Sequence, residues 1–174
     1  MNFKESKTYK NLETALQGEA LAHLKYQFYK SKLANTSRGW EKYLDEIVHN
    51  EKEHGKIWFK LLHDGEVPDD ITNLKDAIKG ELTEHKEMYP NFAQVAFDEG
   101  FDNIGKLFNL VAEIEGQHAD ELCEILIKIQ NEQLFEDDEE WGWICLNCGH
   151  IHYGTKAPEI CPVCNHPQKY FVRD

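Results

Sequence analysis

The sequence predicts an all-α four-helix bundle followed by a small irregular or β metal-binding module, and three observations support this fold class. Residues 1–134 contain four long stretches whose apolar residues recur at helical spacing. Four of the 5 cysteines lie together after residue 144, and 11 glycines and 5 prolines are few for 174 residues. The links between the predicted helices are short, long and short, which is typical of a bundle with one crossover connection.

Turn and cap signals delimit the four helices. The predicted helices cover residues 7–33, 38–63, 74–97 and 102–134. Ser37 offers an N-cap to the second helix, and Asp64-Gly65 ends it. Asn73 is the candidate cap of the third helix. Pro90 is expected to kink the third helix, because proline lacks a backbone donor and clashes with the preceding turn.

A run of five acidic residues, Glu136 to Glu140, follows the helices. Like charges at this density repel one another and stay hydrated, so the run is interpreted as a linker. The residues after it are rich in cysteine, glycine, proline and aromatic side chains and show no helical period. We therefore expect a bundle over residues 1–134, an acidic linker over 135–140 and a separate module over 141–174.

The charge balance excludes two classes of partner. The chain has 32 Asp and Glu against 19 Lys and Arg, a formal net charge of −13. This argues against binding to nucleic acid, which needs a basic face, and against binding to an anionic membrane surface. No stretch approaches the roughly 18 apolar residues of a membrane span, and the N-terminal residues lack a signal-peptide pattern. A cytoplasmic location is therefore expected.

Ionisable residues interrupt the middle of the apolar stripe on all four predicted helices. The second and fourth helices each carry a Glu-x-x-His pair, the first carries one glutamate and the third carries two. These seven residues are Glu19, Glu51, His54, Glu81, Glu84, Glu115 and His118. One interpretation is that some helices are rotated so that the acids face water.

A metal site explains the repeated Glu-x-x-His pairs better, because several buried carboxylates need a cation to neutralise them. Carboxylates with imidazole suit iron or manganese. A glutamate from each of two helices and a Glu-x-x-His from each of the other two is the ligand set of a di-iron carboxylate bundle. His23, His49, His63 and His85 show no comparable pattern and are interpreted as surface or supporting residues. Cys123 is interpreted as a buried apolar thiol.

The clustered cysteines form two Cys-x-x-Cys pairs separated by twelve residues. The four residues are Cys145, Cys148, Cys161 and Cys164. Each pair presents two thiolates from a tight turn, and two pairs complete a tetrahedral site for zinc or for a single iron. Spacing alone does not decide between the two metals. Two disulfides are disfavoured in a chain that has no secretory signal.

Taken in order, these motifs resemble the rubrerythrin family over nearly the whole chain. The matching motifs are Gly18-Glu19, Glu51-Lys-Glu-His54, Gly80-Glu81-Leu-Thr-Glu84, Met88-Tyr89-Pro90, Glu115-Gly-Gln-His118, the two cysteine pairs and Gly154 to Glu159. The resemblance implies a ferritin-like di-iron bundle followed by a rubredoxin-like domain with an Fe(SCys)4 centre, which displaces the zinc interpretation.

The resemblance also implies roles for individual residues. Glu19, Glu51, His54 and Glu84 would serve one iron, and Glu81, Glu115 and His118 would serve the other. Glu51 and Glu115 would bridge the two irons. His54 and Glu84 match the residues that exchange as ligands when the family's di-iron centre is oxidised. Tyr26 and Tyr89 match tyrosines close to that centre.

The implied activity is reduction of hydrogen peroxide to water in oxidative stress defence. Electrons would come from a reductase or rubredoxin and pass through the Fe(SCys)4 centre to two non-haem irons. A homodimer is expected. The alternative is a ferroxidase or iron-storage protein of the ferritin-like class, which would not need an electron-transfer domain in each chain. A zinc-ribbon adaptor fused to a structural bundle does not explain the seven ionisable residues.

Overall fold

The computed structural model describes residues 2–33 and 35–174, and the chain divides into two compact units at Asp69 and Asp70. Within the described residues the helices are α1 (Lys7–Leu33), α2 (Arg38–Leu62), α3 (Asp70–Thr83), α4 (Tyr89–Asp98) and α5 (Asp102–Gln130). A π-helical turn (Glu84–Met88) joins α3 to α4 without a break. The strands are β1 (Glu136–Cys145), β2 (Ile151–Lys156) and β3 (Phe171–Arg173).

The first unit contains hairpin 1, in which α1 packs along α2. Ser6 begins α1, because its hydroxyl accepts the backbone N–H of Tyr9 at 3.1 Å. At the end of α2, Asp64 and Gly65 adopt left-handed φ angles of 57° and 98°. The N–H of Gly65 donates to the carbonyl of Lys60 at 2.7 Å. This closure matches the turn signal in the sequence.

The second unit begins with hairpin 2, in which α3, the π turn and α4 pack along α5. Small buried residues let these helices approach closely; they are Ala93, Ala96, Gly105, Ala112 and Ala119. At Gly105 a Cβ atom would lie 2.7 Å from the ring of Phe97, so the backbone there has no room for a side chain. The N–H of Phe101 donates to the carbonyl of Ala96 at 2.7 Å and closes the link before α5.

The rest of the second unit is a three-stranded antiparallel sheet with the order β2-β1-β3. Its core consists of Trp143, Cys145, Ala157, Cys161 and Phe171, each at most 2% exposed. The indole N–H of Trp143 donates to the carbonyl of Gly154 at 3.0 Å and ties β1 to β2. The sheet therefore builds a small core around two of the four clustered cysteines.

Two predicted helix ends were wrong by about one turn. Helix α3 begins at Asp70 rather than residue 74, so Asn73 lies inside it and does not cap it. An acidic residue in the first turn is favourable beside the positive end of a helix dipole. Helix α5 ends at Gln130 rather than at residue 134, because Glu132 adopts a φ of 58° and ends the helical backbone there.

The helix around Pro90 also differs from the expected kink. The N–H of Tyr89 donates to the carbonyl of Glu84, five residues earlier, so the backbone widens into the π turn. Pro90 then lies at the start of α4, directly after the widened turn.

The predicted fold class is confirmed, with long helices followed by a small β module that carries the four cysteines. The domain limits 1–134, 135–140 and 141–174 stay a prediction. Residues 136–140, interpreted as a linker, are extended and form the start of β1. None of the helices in the described part of the chain is long and apolar enough to cross a membrane.

Candidate metal sites

Hairpin 1 brings together three of the predicted ligands. Glu19 lies on α1, Glu51 and His54 lie on α2, and one ligand atom from each lies within 4.8 Å of the others. The Nδ1 atom of His54 is 3.3 Å from Oε2 of Glu51 and 3.7 Å from Oε2 of Glu19. Residues three apart share one face of a helix, so the Glu-x-x-His spacing itself places carboxylate beside imidazole.

Hairpin 2 repeats this arrangement with Glu81 on α3 and Glu115 and His118 on α5. The Nδ1 atom of His118 is 2.8 Å from Oε2 of Glu115 and 3.8 Å from Oε2 of Glu81. The same set of two carboxylates and one imidazole therefore occurs twice in the chain.

Each three-residue set has the chemistry of a cation site. Two neighbouring carboxylates repel each other unless a proton or a metal ion lies between them, and carboxylate oxygens with an imidazole nitrogen suit iron. The carboxylates are the deeper members: the Glu51 and Glu115 side chains are 18% and 15% exposed, against 52% for His54 and 49% for His118. The donor sets fit the two irons of a di-iron site.

In hairpin 1 the surroundings favour a charged Glu19. A hydrogen bond with Glu51 lowers the pKa of Glu19, and this effect outweighs the opposing desolvation. The indole N–H of Trp58, 3.4 Å from Oε1 of Glu19, lowers that pKa further, as does His54. Leu122 holds the corresponding position on α5, seven residues after the ligand glutamate, and its side chain offers no donor.

In hairpin 2 the surroundings raise the pKa of Glu81 above its ordinary value. Desolvation raises the pKa of Glu81, and a shared hydrogen bond with Glu115 and the charge of that residue raise it further. The charge of His118 acts in the opposite direction but is outweighed. The two sets thus share geometry but differ in how readily they give up a proton.

The π turn distinguishes hairpin 2 from hairpin 1. Tyr26 comes seven residues after Glu19, whereas Tyr89 comes eight residues after Glu81. The wide turn takes up one extra residue, so the two tyrosines hold equivalent positions after the first ligand of each hairpin. Glu84 opens the π turn and lies outside the three-residue set of hairpin 2.

Tyr89 is placed to remain a hydrogen-bond donor. Desolvation raises its pKa, and the charges of Glu84, Glu115 and Glu81 raise it further. Its ring stacks on Phe108 with centroids 5.9 Å apart, which fixes its orientation. The hydroxyl therefore keeps its proton at neutral pH. The catalytic roles predicted for Tyr26, Tyr89, His54 and Glu84 stay predictions.

The four cysteines of the tail form a third metal-binding cluster. The Sγ atoms of Cys145 and Cys164 are 3.7 Å apart, and those of Cys148 and Cys161 are also 3.7 Å apart. A tetrahedron with metal–sulfur bonds of about 2.3 Å has edges of about 3.8 Å. These two distances match such an edge and all four sulfurs lie within 4.8 Å of one another, so the cluster fits an Fe(SCys)4 centre.

Two matching turns present these sulfurs. Gly149 and Asn165 each follow the second cysteine of a pair and adopt left-handed φ angles of 75° and 59°. The N–H of Gly149 donates to the carbonyl of Cys145 at 2.8 Å, and that of Asn165 donates to Cys161 at 2.9 Å. Glycine and asparagine are the residues that tolerate this backbone conformation best.

His23 and His85 were interpreted as surface or supporting residues, and the structure places both inside the hairpins. Both are half-buried, and each contacts a backbone carbonyl of the opposite helix. A sequence signal does exist, because each histidine comes four residues after the first ligand glutamate of its hairpin.

Known proteins resemble this chain along its whole length. Residues 10–126 match the family described as rubrerythrin, and residues 143–172 match the rubrerythrin, rubredoxin-like domain. Rubrerythrin-1 of Clostridium acetobutylicum is 36% identical, over 98% of this chain and 95% of the relative. The rubrerythrin of Porphyromonas gingivalis is 36% identical, over 98% and 91%. A solved structure of partially reduced nigerythrin is 26% identical, covers 97% of this chain and 87% of that one, and has a TM-score of 0.36.

Proposed function

The chain belongs to the rubrerythrin family, and from this premise we propose that it is a non-haem di-iron peroxidase that reduces hydrogen peroxide to water. The observation that carries the proposal is the occurrence, in one chain, of two identical carboxylate–imidazole sets and a tetrahedral thiolate cluster. The first two fit a pair of irons that can deliver two electrons together. The third fits an iron that accepts and passes on one electron at a time.

Irons held by these residues would supply the electrons for cleavage of the O–O bond, and the protein would supply ligands, protons and access. Glu51 and Glu115, the most buried ligand carboxylates, are proposed as bridges. Glu84 and His54 are proposed as the ligands that exchange with oxidation state. Tyr89 keeps its proton, so its hydroxyl can donate a hydrogen bond to peroxide, and Tyr26 is proposed to do the same from hairpin 1.

The remaining parts of the proposal concern partners. A reductase or a rubredoxin would reduce the Fe(SCys)4 centre, the protein would act as a homodimer, and it would work in the cytoplasm. Hydrogen peroxide plus two electrons and two protons gives two waters, so the donor must supply two electrons in each turnover.

The test compares peroxide with oxygen. The iron-loaded protein is reduced without air, mixed with either oxidant, and followed through the visible band of the thiolate-bound iron. Rapid reoxidation by peroxide and slower reoxidation by oxygen is the expected result. A peroxide reaction no faster than the oxygen reaction would overturn the proposal and favour the ferroxidase or storage alternative.

A variant tests the role of Glu84. Glu84→Ala should slow turnover with peroxide while leaving the thiolate–iron band unchanged. Glu87→Ala is the matched control, because Glu87 is an exposed glutamate in the same π turn. Equal turnover in the two variants would remove the role proposed for Glu84.

A further inference from the structure

Two histidines outside the ligand sets hold the same position in the two hairpins. The Nδ1 atom of His23 on α1 lies 2.8 Å from the carbonyl oxygen of Val48 on α2. The Nδ1 atom of His85 in the π turn lies 2.6 Å from the carbonyl oxygen of Ala112 on α5. In both hairpins the histidine comes four residues after the glutamate on its own helix. The residue whose carbonyl it contacts comes three residues before the glutamate of the Glu-x-x-His pair on the other helix.

The chemistry of these contacts fixes the proton on Nδ1. A carbonyl oxygen can only accept a hydrogen bond, so each ring must donate from Nδ1. In hairpin 1 the side-chain amide of Gln27 lies 3.0 Å from Nε2 of His23 and can donate to it. Both ring nitrogens of His23 therefore have a hydrogen-bond partner, and the ring connects α1 to α2.

The position of the contacts matters because the two helices of a hairpin run in opposite directions. Four residues along one helix correspond to about 6 Å, and three residues along the other to about 4.5 Å. Because the helices are antiparallel, both distances run in the same direction from the glutamates and histidines of the ligand set. Helical side chains also lean towards the N-terminus of their helix. The histidine and the carbonyl thus meet at one level, one turn away from the ligands.

Apolar packing alone does not fix how far one helix is shifted along the other. Ridges on one helix fit the grooves of another in more than one register, and registers one turn apart differ by about 5.4 Å. A ligand displaced by even a fraction of that distance leaves the metal. A directional hydrogen bond between a side chain and a backbone carbonyl selects one register.

We propose that His23 and His85 are positioning residues that set the register of the two helices in each hairpin, so that the carboxylate on one helix meets the Glu-x-x-His of the other. This inference rests on the proposed function, because it assumes that the ligand sets bind iron. It adds two residues that do not touch the metal.

A glycine supports the proposal in hairpin 2. Gly116 directly follows the ligand Glu115, and a Cβ atom there would lie 3.0 Å from both Cε1 and Nδ1 of His85. The missing side chain makes room for the imidazole ring. In hairpin 1 the corresponding residue is Lys52, so this support applies to hairpin 2 alone.

The test separates the hydrogen bond from the bulk of the ring. His23→Leu and His85→Leu remove the donor. His23→Asn and His85→Asn keep an N–H at the position of Nδ1, because asparagine and histidine share the same chain of atoms as far as that nitrogen. Each full-length variant is loaded with iron without air, and iron release to a chelator is timed and assigned by Mössbauer spectra. The visible band of the thiolate iron serves as the internal control.

We expect each leucine variant to release one carboxylate-bound iron about tenfold faster than the unsubstituted protein, at the lower end of effects seen for residues that orient metal ligands. His23→Leu and His85→Leu should affect different Mössbauer components, and the asparagine variants should restore release to within about twofold. Gly116→Ala should affect the same component as His85→Leu. General loss of stability would not produce this pattern.

Two results would overturn the inference while leaving the proposed function intact. One is that the leucine variants hold both carboxylate-bound irons as firmly as the unsubstituted protein. The other is that leucine and asparagine variants lose iron equally, since the ring and not its N–H would then matter. If the unsubstituted protein holds only the thiolate iron, the proposed function fails and the inference fails with it.

Discussion

In the metal-free protein, two cysteines of the tail are expected to react with iodoacetamide in an order opposite to their exposure. Cys148 is exposed and Cys164 is only half-exposed, so access alone would favour Cys148. The thiolate, and not the thiol, attacks the carbon of the reagent and displaces iodide. The pKa values of the two residues therefore decide the order.

The backbone around each sulfur sets these pKa values. At Cys164 the backbone N–H of His166 acts most strongly and, against desolvation, lowers the pKa of the thiol to about 6. At Cys148 the backbone N–H of His150 also lowers the pKa, but desolvation and hydrogen bonds shared with the other three thiols outweigh it and raise the pKa to about 12. Of these two cysteines, Cys164 is thus the one whose thiolate form its neighbours stabilise.

The expected ratio of rates follows from these values. At pH 7 about nine-tenths of Cys164 is thiolate, against about one part in 100,000 of Cys148. A more basic thiolate is more nucleophilic. Over six pKa units this makes the thiolate of Cys148 roughly 500 times more reactive than that of Cys164. Cys164 should therefore react roughly 200 times faster. Its rate should fall about tenfold between pH 7 and pH 5, as the thiolate is protonated.

The assay is alkylation with limiting reagent, followed by mass spectrometry of the peptides that contain each cysteine. Near-ultraviolet circular dichroism, to which Trp143 contributes with the other three tryptophans, reports whether the protein stays folded during the reaction. Metal-loaded protein should be protected at both positions, and protein unfolded in urea should react equally at both. If folded, metal-free protein is labelled at Cys148 as fast as at Cys164, the account of the cluster is wrong.

Three further outcomes are expected. Trp58→Phe removes the indole donor to Glu19, so the pKa of Glu19 should rise in the metal-free protein, as measured by NMR titration of the carboxyl group. Iron should bind about tenfold more weakly, as measured by competition with a chelator. Asp137→Asn removes the ion pair with Arg173. Desolvation raises the pKa of Asp137, but hydrogen bonds and nearby cations lower it overall, so the variant should unfold at a lower temperature at pH 7. The difference should shrink as the pH falls below about 4 and vanish below the lowered pKa of Asp137. Gly105→Ala should lower the free energy of unfolding by about 1–3 kcal/mol in urea titrations, because its Cβ would overlap a neighbouring aromatic ring.

The two clusters of glutamate and histidine could be predicted because the spacing of their residues has a direct geometric meaning. Glu51 and His54 are three residues apart on an amphipathic helix, so a helix of any exact length places them on one face. The cysteine pairs are equally local. Short-range patterns of this kind stay valid even when the predicted helix ends are wrong by several residues.

The π turn and the bridging histidines were not predictable in the same way. A proline signals a disrupted helix, but Pro90 does not reveal that the backbone widens before it. The imidazole N–H of His23 and that of His85 donate to backbone carbonyls, and a backbone acceptor has no side-chain signature. Only the equal spacing from the ligand glutamates, repeated in both hairpins, connects them to the site.

The extended conformation of the acidic run in β1 could not be predicted from the sequence for a related reason. Asp137 lies 2.7 Å from Arg173 and 3.6 Å from Lys128, so charges distant in sequence stabilise an extended strand there. Sequence shows that five acids repel one another but not which cations the fold will bring to them.

That strand has a consequence for self-association. Among the described residues, the ladder pairs of β1 involve Glu136 and residues 141–145, which leaves the four acids at 137–140 without ladder partners. Exposed strand backbone is a template on which a second chain can add a strand. The three exposed acids at 138–140 make that addition unfavourable, because an identical chain would bring more negative charge to the same place. Repulsion between like charges thus disfavours pairing of this segment with a second copy of the chain.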